Sequence, residues 1–287
     1  DEAHYLYSRP ELSRQLEPFV STAARLLILS AASQSLGAQI EYPSGLKVVD
    51  LTEVVRSSQR IVAGANAFRC DAVEAERPRC HHQIPGPPLV PILFDAPADD
   101  TTAATHEYAR HTVEAVRRVC HDFPGLELHN RLAVIVPDTV FLASFKGTFQ
   151  RELSATFGAR FGLMKADQAS ACLLGESSAL VEMLVLDTVE QFDGLERLIV
   201  ISVGLDAPID YGEGTLETRS QMYRALTRAQ MMALVVNMKI RKGWLECLGH
   251  VSCAKAFDAE AEEARRTNAA AAITARSLAI REQVKKA

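Results

Sequence analysis

Six short apolar runs, separated by stretches of helical periodicity, constrain the fold of this chain more than any other feature. They are Arg25-Leu-Leu-Ile-Leu-Ser30, Leu46-Lys-Val-Val-Asp-Leu51, Leu89-Val-Pro-Ile-Leu-Phe94, Leu132-Ala-Val-Ile-Val136, Leu195-Glu-Arg-Leu-Ile-Val-Ile201 and Met232-Ala-Leu-Val-Val236. A continuous apolar run of about 4–8 residues, bounded by polar ones, is the pattern of a strand covered on both faces. Helical patterns fill the intervals, from Ser57 to Phe68, Thr101 to Asp122, Phe145 to Phe157 and Thr218 to Gln230. Parallel strands need crossover connections, and helices are the usual ones. The expected class is therefore α/β, a parallel sheet with helices on both faces.

The 287 residues are 48% hydrophobic and 23% charged, enough for one full domain and a partial one. The stretch from Asp71 to Pro88, with Pro78, Pro85, Pro87 and Pro88, reads as a loop. From Lys255 onward the chain is rich in Ala, Glu and Arg, the composition of a long helix with a polar surface. A net charge of -5 excludes a chain that attracts phosphate backbones as a whole, so any nucleic-acid contact has to be local. The start is charged and no run of about 18 apolar residues occurs, so neither a signal peptide nor a membrane span is expected. Six irregularly spaced cysteines suggest reduced thiols and an intracellular compartment, nucleus or cytoplasm.

Five segments carry candidate chemistry. Asp1-Glu2-Ala3-His4 opens the chain with a carboxylate pair, which at a phosphate site can hold Mg²⁺ and polarise an attacking water. Ser30-Ala-Ala-Ser-Gln34 places an amide at a strand's carboxyl end, the edge at which open parallel sheets bind ligands. Leu51-Thr-Glu-Val-Val-Arg56 ends a strand in an arginine, with Ser57 or Ser58 as cap of the next helix. Asp187-Thr-Val-Glu-Gln-Phe-Asp-Gly-Leu-Glu196 leads into an apolar strand, with Gly194 in the turn. Arg219-Ser-Gln-Met-Tyr223-Arg-Ala-Leu-Thr-Arg228 opens a helix that puts Arg224 and Arg228 on one face. Taken singly, each is common on protein surfaces.

In this order the segments resemble the superfamily 1 helicases, UvrD/Rep-like and related, from motif II (Asp1 to His4) through motifs III (Ser30 to Gln34), IV (Leu51 to Arg56), V (Thr188 to Glu196) and VI (Tyr223 to Ala229). The resemblance implies RecA-like architecture, with residues 1–50 as the end of a first RecA-like domain, 51–254 as a second, compact one and 255–287 as a helical tail. It implies ATP and Mg²⁺ as cofactors and DNA or RNA, in single-stranded form, as partner. Asp1 then holds the metal, Glu2 orients the hydrolytic water and Gln34 senses the γ-phosphate. Arg56 and Arg228 reach that phosphate from the second domain. Gly194, Glu196, Tyr223 and Arg224 line the nucleotide, Glu196 at its sugar, and Thr188 faces the nucleic-acid backbone.

The chain departs from the family pattern at Ala31, where an acid is usual, at Asp193, where Lys is common, and at Glu190, where UvrD-like proteins carry His. These changes weaken the nucleic-acid side more than the ATP side. No G-x-x-x-x-G-K-[ST] occurs, and Gly158, Gly162 and Lys165 have the wrong spacing for one. The expectation is that this chain is completed by an N-terminal RecA-like half and is inactive alone. The alternative is a helicase-like scaffold or regulatory module without catalysis.

Other chemistry-bearing residues are set aside. Cys70, Cys80, His81 and His82 lack the short knuckle of a zinc site, and Cys247, His250 and Cys253 are equally loose. Cys120-His121 has no orienting acid evident in sequence. Trp244 reads as an anchor for the C-terminal segment ahead of a base-stacking residue.

Overall fold

Side-chain alternation within single strands shows how the sheet is covered. In β4 (Leu132–Val136), Leu132, Val134 and Val136 enter one apolar layer and Ala133 and Ile135 the other, and all are fully buried. The structure is a computed structural model describing residues 3–30, 40–69, 78–81, 84–95, 100–171, 181–209 and 213–245. Around β4 these residues form α1 (Ala3–Tyr7), α2 (Pro10–Thr22), β1 (Glu53–Val54), α3 (Gln59–Asn66), β2 (Arg79–Cys80), β3 (Val90–Phe94) and α4 (Thr101–Asp122). Beyond it come α5 (Thr139–Phe157), β5 (Phe161–Met164), α6 (Ala166–Ala171), β6 (Glu182–Thr188), β7 (Arg197–Val203), α7 (Glu213–Thr227) and β8 (Ala229–Met238).

The main sheet has the order β3-β8-β7-β4-β6-β5 and every pairing in it is parallel. Helices α4 and α5 cover one face through Val113, Val116, Phe145, Phe149 and Leu153. The other face carries α3, α6 and α7 through Ile61, Ala65, Ala169, Met222 and Leu226. This is the α/β class expected, a parallel sheet with helices on both faces. Helix starts follow their caps: Asp100 Oδ1 accepts from the N–H groups of Thr102 and Ala103, both at 2.9 Å, and Asp138 Oδ1 from that of Phe141 at 2.8 Å. The Asp138 cap starts α5 at Thr139, ahead of the Phe145 that apolar spacing alone indicates.

Two of the six apolar runs are not strands. Arg25 to Ser30 and Leu46 to Leu51 are irregular, with Leu27 and Leu51 80% and 83% exposed. A strand exists only by its ladder, and among the described residues no strand lies beside either run. The backbone of Leu29 does accept from Ala3 N–H at 2.9 Å, which brings the first segment against the second. Conversely, β5 and β6 are strands that the apolar runs do not single out. Within the proline-rich loop, Arg79 and Cys80 pair in parallel with Glu53 and Val54. The strand ahead of Arg56 is thus only β1, and Arg56 follows it in a bend. The tail from Lys255 lies outside the described residues, and among those described no helix is long and apolar enough to cross a membrane.

Phe149, fully buried and stacked on Phe145 with ring centroids 5.1 Å apart, is central to the first layer. Phe149→Ala is expected to lower stability by about 3–5 kcal/mol in urea unfolding, with an unchanged denaturant slope.

Candidate functional site

In a parallel sheet the residues just before the strands gather at one edge and those just after them at the other. Glu196 and Arg228 directly precede β7 and β8, and Arg197 N–H donates to Arg228 C=O at 2.9 Å, which joins the two strand entries. A third segment is laid along the same edge. Ser57 Oγ donates to Ala229 C=O at 2.8 Å, Ser58 N–H to Gln230 C=O at 2.9 Å and Ser58 Oγ to Met231 C=O at 3.3 Å. Arg56, next to Ser57, is thereby fixed at the amino ends of β7 and β8.

Ser58 occupies the N-cap position of α3 but makes no side-chain cap, because its hydroxyl is engaged by β8. The loop before β3 takes over: Ile84 C=O accepts from Gln59 N–H at 3.3 Å and Pro85 C=O from Arg60 N–H at 3.1 Å. Gly86, at φ +71°, passes so close that a Cβ there would stand 2.4 Å from Ser58 Oγ. Only glycine fits that crossing.

Glu196 is the hub of the edge. Its Oε1 accepts from Arg56 Nη1 at 2.8 Å and its Oε2 from Gln230 Nε2 at 3.1 Å, while Arg56 Nη2 donates to Thr227 C=O at 3.4 Å. The Arg56 and Glu196 side chains are 42% and 29% exposed, so the ion pair is weak, on the order of 0–1 kcal/mol, and open to exchange. Arg197 Nη1 donates to Glu196 C=O at 2.5 Å, and burial pushes the Arg197 guanidinium below its ordinary range.

Behind the hub, Arg224 grips Asp193 with two bonds, Nε to Oδ1 at 3.1 Å and Nη2 to Oδ2, both side chains being largely buried. The Asp193 carboxylate is thus matched by an arginine on α7. Gly194, at φ +77°, makes the turn between this pair and Glu196. Arg228 is only 2% exposed, and its Nε donates to Arg224 C=O at 3.3 Å. Tyr223 packs in the layer under α7.

Thr188 is not part of this cluster. It ends β6 opposite Val136, at the carboxyl edge, with its N–H held by Asp187 Oδ1 at 2.9 Å. Asp1, Glu2, Ala31 and Gln34 lie outside the described residues, as do Cys70, His82, Cys247, His250 and Cys253. Among the described residues no three His, Cys, Asp or Glu side chains converge as metal ligands would. Gln230 was missed in the sequence, where its only signal is a polar residue two places beyond Arg228. His121 does have an acid beside it, Asp122 at 3.2 Å, but burial pushes the Cys120 thiol up, away from thiolate. The backbone N–H of Trp244 donates to Asp206 Oδ1 at 2.8 Å, and its ring meets Phe68 edge-on and the Arg219 guanidinium at 5.3 Å, while the segment it was expected to anchor lies outside the described residues.

No family model matches the chain, and no curated protein does. Among solved structures, the C-terminal domain of a possible DNA helicase from Lactobacillus plantarum WCFS1 is similar at 16% identity and a TM-score of 0.38, over 64% of this chain and 87% of that one. The DExH-box NTPase HrpB of E. coli is similar at 15% identity and a TM-score of 0.34, over 60% of this chain and 21% of that one. The Hef helicase domain of Pyrococcus furiosus is similar at 14% identity and a TM-score of 0.29, over 50% of this chain and 27% of that one.

Asp193→Ala removes a bidentate partner from the largely buried Arg224 guanidinium and is expected to cost about 3–5 kcal/mol in thermal or urea unfolding. Adding Arg224→Met should recover part of that loss, the signature of a coupled pair in a double-mutant cycle.

Proposed function

We propose that this chain is the nucleotide-sensing half of a superfamily 1 nucleic-acid motor, in which residues 51–254 form a RecA-like domain that closes on ATP held by another domain's phosphate loop. The observation that carries this proposal is the meeting of Arg56, Glu196 and the Arg228 segment at one sheet edge, Arg56 and Glu196 coming from positions 140 residues apart. An exposed guanidinium beside a carboxylate suits a nucleotide, the cation for the terminal phosphate and the carboxylate for the sugar hydroxyls. Arg56 is already at the surface. Arg228 reaches the phosphate only if the end of α7 shifts on domain closure, a motion of the kind that completes many active sites.

Thr188, on the opposite edge, is the proposed contact to a single strand of DNA or RNA. A local contact there is compatible with the overall charge of -5. Residues 1–50 belong, in this proposal, to the end of the first RecA-like domain, with Mg²⁺ held by Asp1, the attacking water oriented by Glu2 and the γ-phosphate sensed by Gln34. Bound Mg²⁺ would neutralise charge on the triphosphate. The residues described here bind and orient: Glu196 and Gly194 at the sugar, Arg56 and Arg228 at the phosphate, with Tyr223 and Arg224 supporting them from α7.

A non-catalytic scaffold is the second proposal. It is favoured by the burial of Arg228 and by the tight Asp193–Arg224 pair, which fixes two residues of the nucleotide side in a structural role.

The distinguishing measurement is hydrolysis by this chain joined to an upstream domain with a Walker A loop. ATPase activity stimulated by single-stranded nucleic acid is expected, lowered about 10³-fold in kcat by Arg56→Ala or Arg228→Ala. If calorimetry with Mg²⁺ and a non-hydrolysable ATP analogue finds no binding to the joined protein, the scaffold takes its place.

A further inference from the structure

Glu196 is shared between two donors with different chemistry. Arg56, a cation suited to phosphate, holds Oε1 at 2.8 Å, and Gln230, a neutral amide, holds Oε2 at 3.1 Å. Both ends of this short chain of side chains are tied to the junction of α7 and β8. Gln230 C=O accepts from Ser58 N–H at 2.9 Å, two residues from Arg56, and Arg56 itself donates to Thr227 C=O at 3.4 Å. The orientation of the carboxylate is therefore set from one side by Gln230, which keeps the other oxygen turned to Arg56. As long as it is so held, the positive charge at the edge is matched by a carboxylate and is a poor receptor for a phosphate alone.

A vicinal diol changes this balance. Two sugar hydroxyls can donate to the two oxygens of one carboxylate, replacing an arginine N–H and an amide N–H with two O–H donors. Both side chains of the ion pair are partly exposed to solvent, so a ligand can reach it and exchange with it.

We propose that Arg56, Glu196 and Gln230 form a sugar-gated latch, resting on the nucleotide site proposed above. A ribose diol takes Glu196, and the Arg56 released by it takes the terminal phosphate. Gln230 is the positioning residue of the latch. Sugar recognition and phosphate sensing are then one event, and a polyphosphate lacking the diol leaves Arg56 bound to Glu196.

Two measurements test this, one on the chain as it stands and one on the chain joined to an upstream domain with a Walker A loop. Without ligand, modification of Arg56 by phenylglyoxal, followed by peptide mass mapping, should be several-fold faster in Glu196→Gln and in Gln230→Ala than in the unsubstituted chain. Gln230→His, which keeps a neutral N–H donor, should restore the slow rate, an effect a merely structural role for Gln230 would not produce. Unchanged Arg56 reactivity in both variants overturns the latch and leaves the nucleotide site untouched. With ligand, calorimetry on this chain joined to an upstream domain with a Walker A loop should find ATP bound about tenfold more tightly than 2′,3′-dideoxy-ATP, as expected for loss of a charged hydrogen bond. In Glu196→Gln that difference should vanish while inorganic tripolyphosphate binds more tightly. Equal binding of ATP and the dideoxy analogue to the unsubstituted chain overturns the sugar gate alone. No binding of any of the three to either form of the joined protein overturns both the gate and the nucleotide site.

Discussion

A fully parallel sheet obliges the chain to return, after every strand, to the edge from which the strand set out. All six main-sheet strands run the same way, so what directly precedes a strand and what directly follows one lie at opposite ends of the molecule's central layer. The connection from β6 to β7 is the shortest statement of this rule. Between Thr188 and Arg197 the chain passes over β4 with a single turn of 3₁₀ helix, Glu190–Phe192, pinned by the fully buried Phe192. A few residues thus separate a threonine at one edge from a carboxylate at the other.

Charge at the amino edge is arranged in two layers. The outer layer, Arg56, Glu196 and Gln230, is open to water and its bonds are exchangeable. The inner one, Asp193 with Arg224, is screened from solvent, bidentate and expensive to break. The difference in burial, more than the identity of the residues, separates groups able to answer a ligand from groups that hold the frame. Arg228 belongs to the inner layer in this structure, hung from the Arg224 carbonyl at the end of α7.

Much of the fold was legible in residue order. The apolar runs at β3, β4, β7 and β8 and the helical periods at α3, α4, α5 and α7 all mark elements that formed, because each of those runs acquires a ladder partner and the helices pack on the sheet they make. Arg25 to Ser30 and Leu46 to Leu51 have the same composition and formed no strand, since a run of apolar residues carries no information about whether a ladder partner will lie beside it. β6 escaped notice because Asp187 and Thr188 at its end read as motif more than as strand. The site was half visible. Arg56, Glu196 and Arg228 could be picked out in sequence, but the partner that neutralises Asp193 and the amide that steers Glu196 come from another element, and only the folded chain puts them there.

The margins of the sheet bear on how the protein behaves in crowded solution. β3, at one border, carries an exposed proline, Pro91, which has no N–H to offer a further strand, and β5, at the other, is four residues long. Long, flat, unblocked borders recruit strands from other molecules and seed aggregates. Among the described residues one border is interrupted and the other is brief, so this sheet of Val, Ile and Leu strands offers its neighbours a short and broken template.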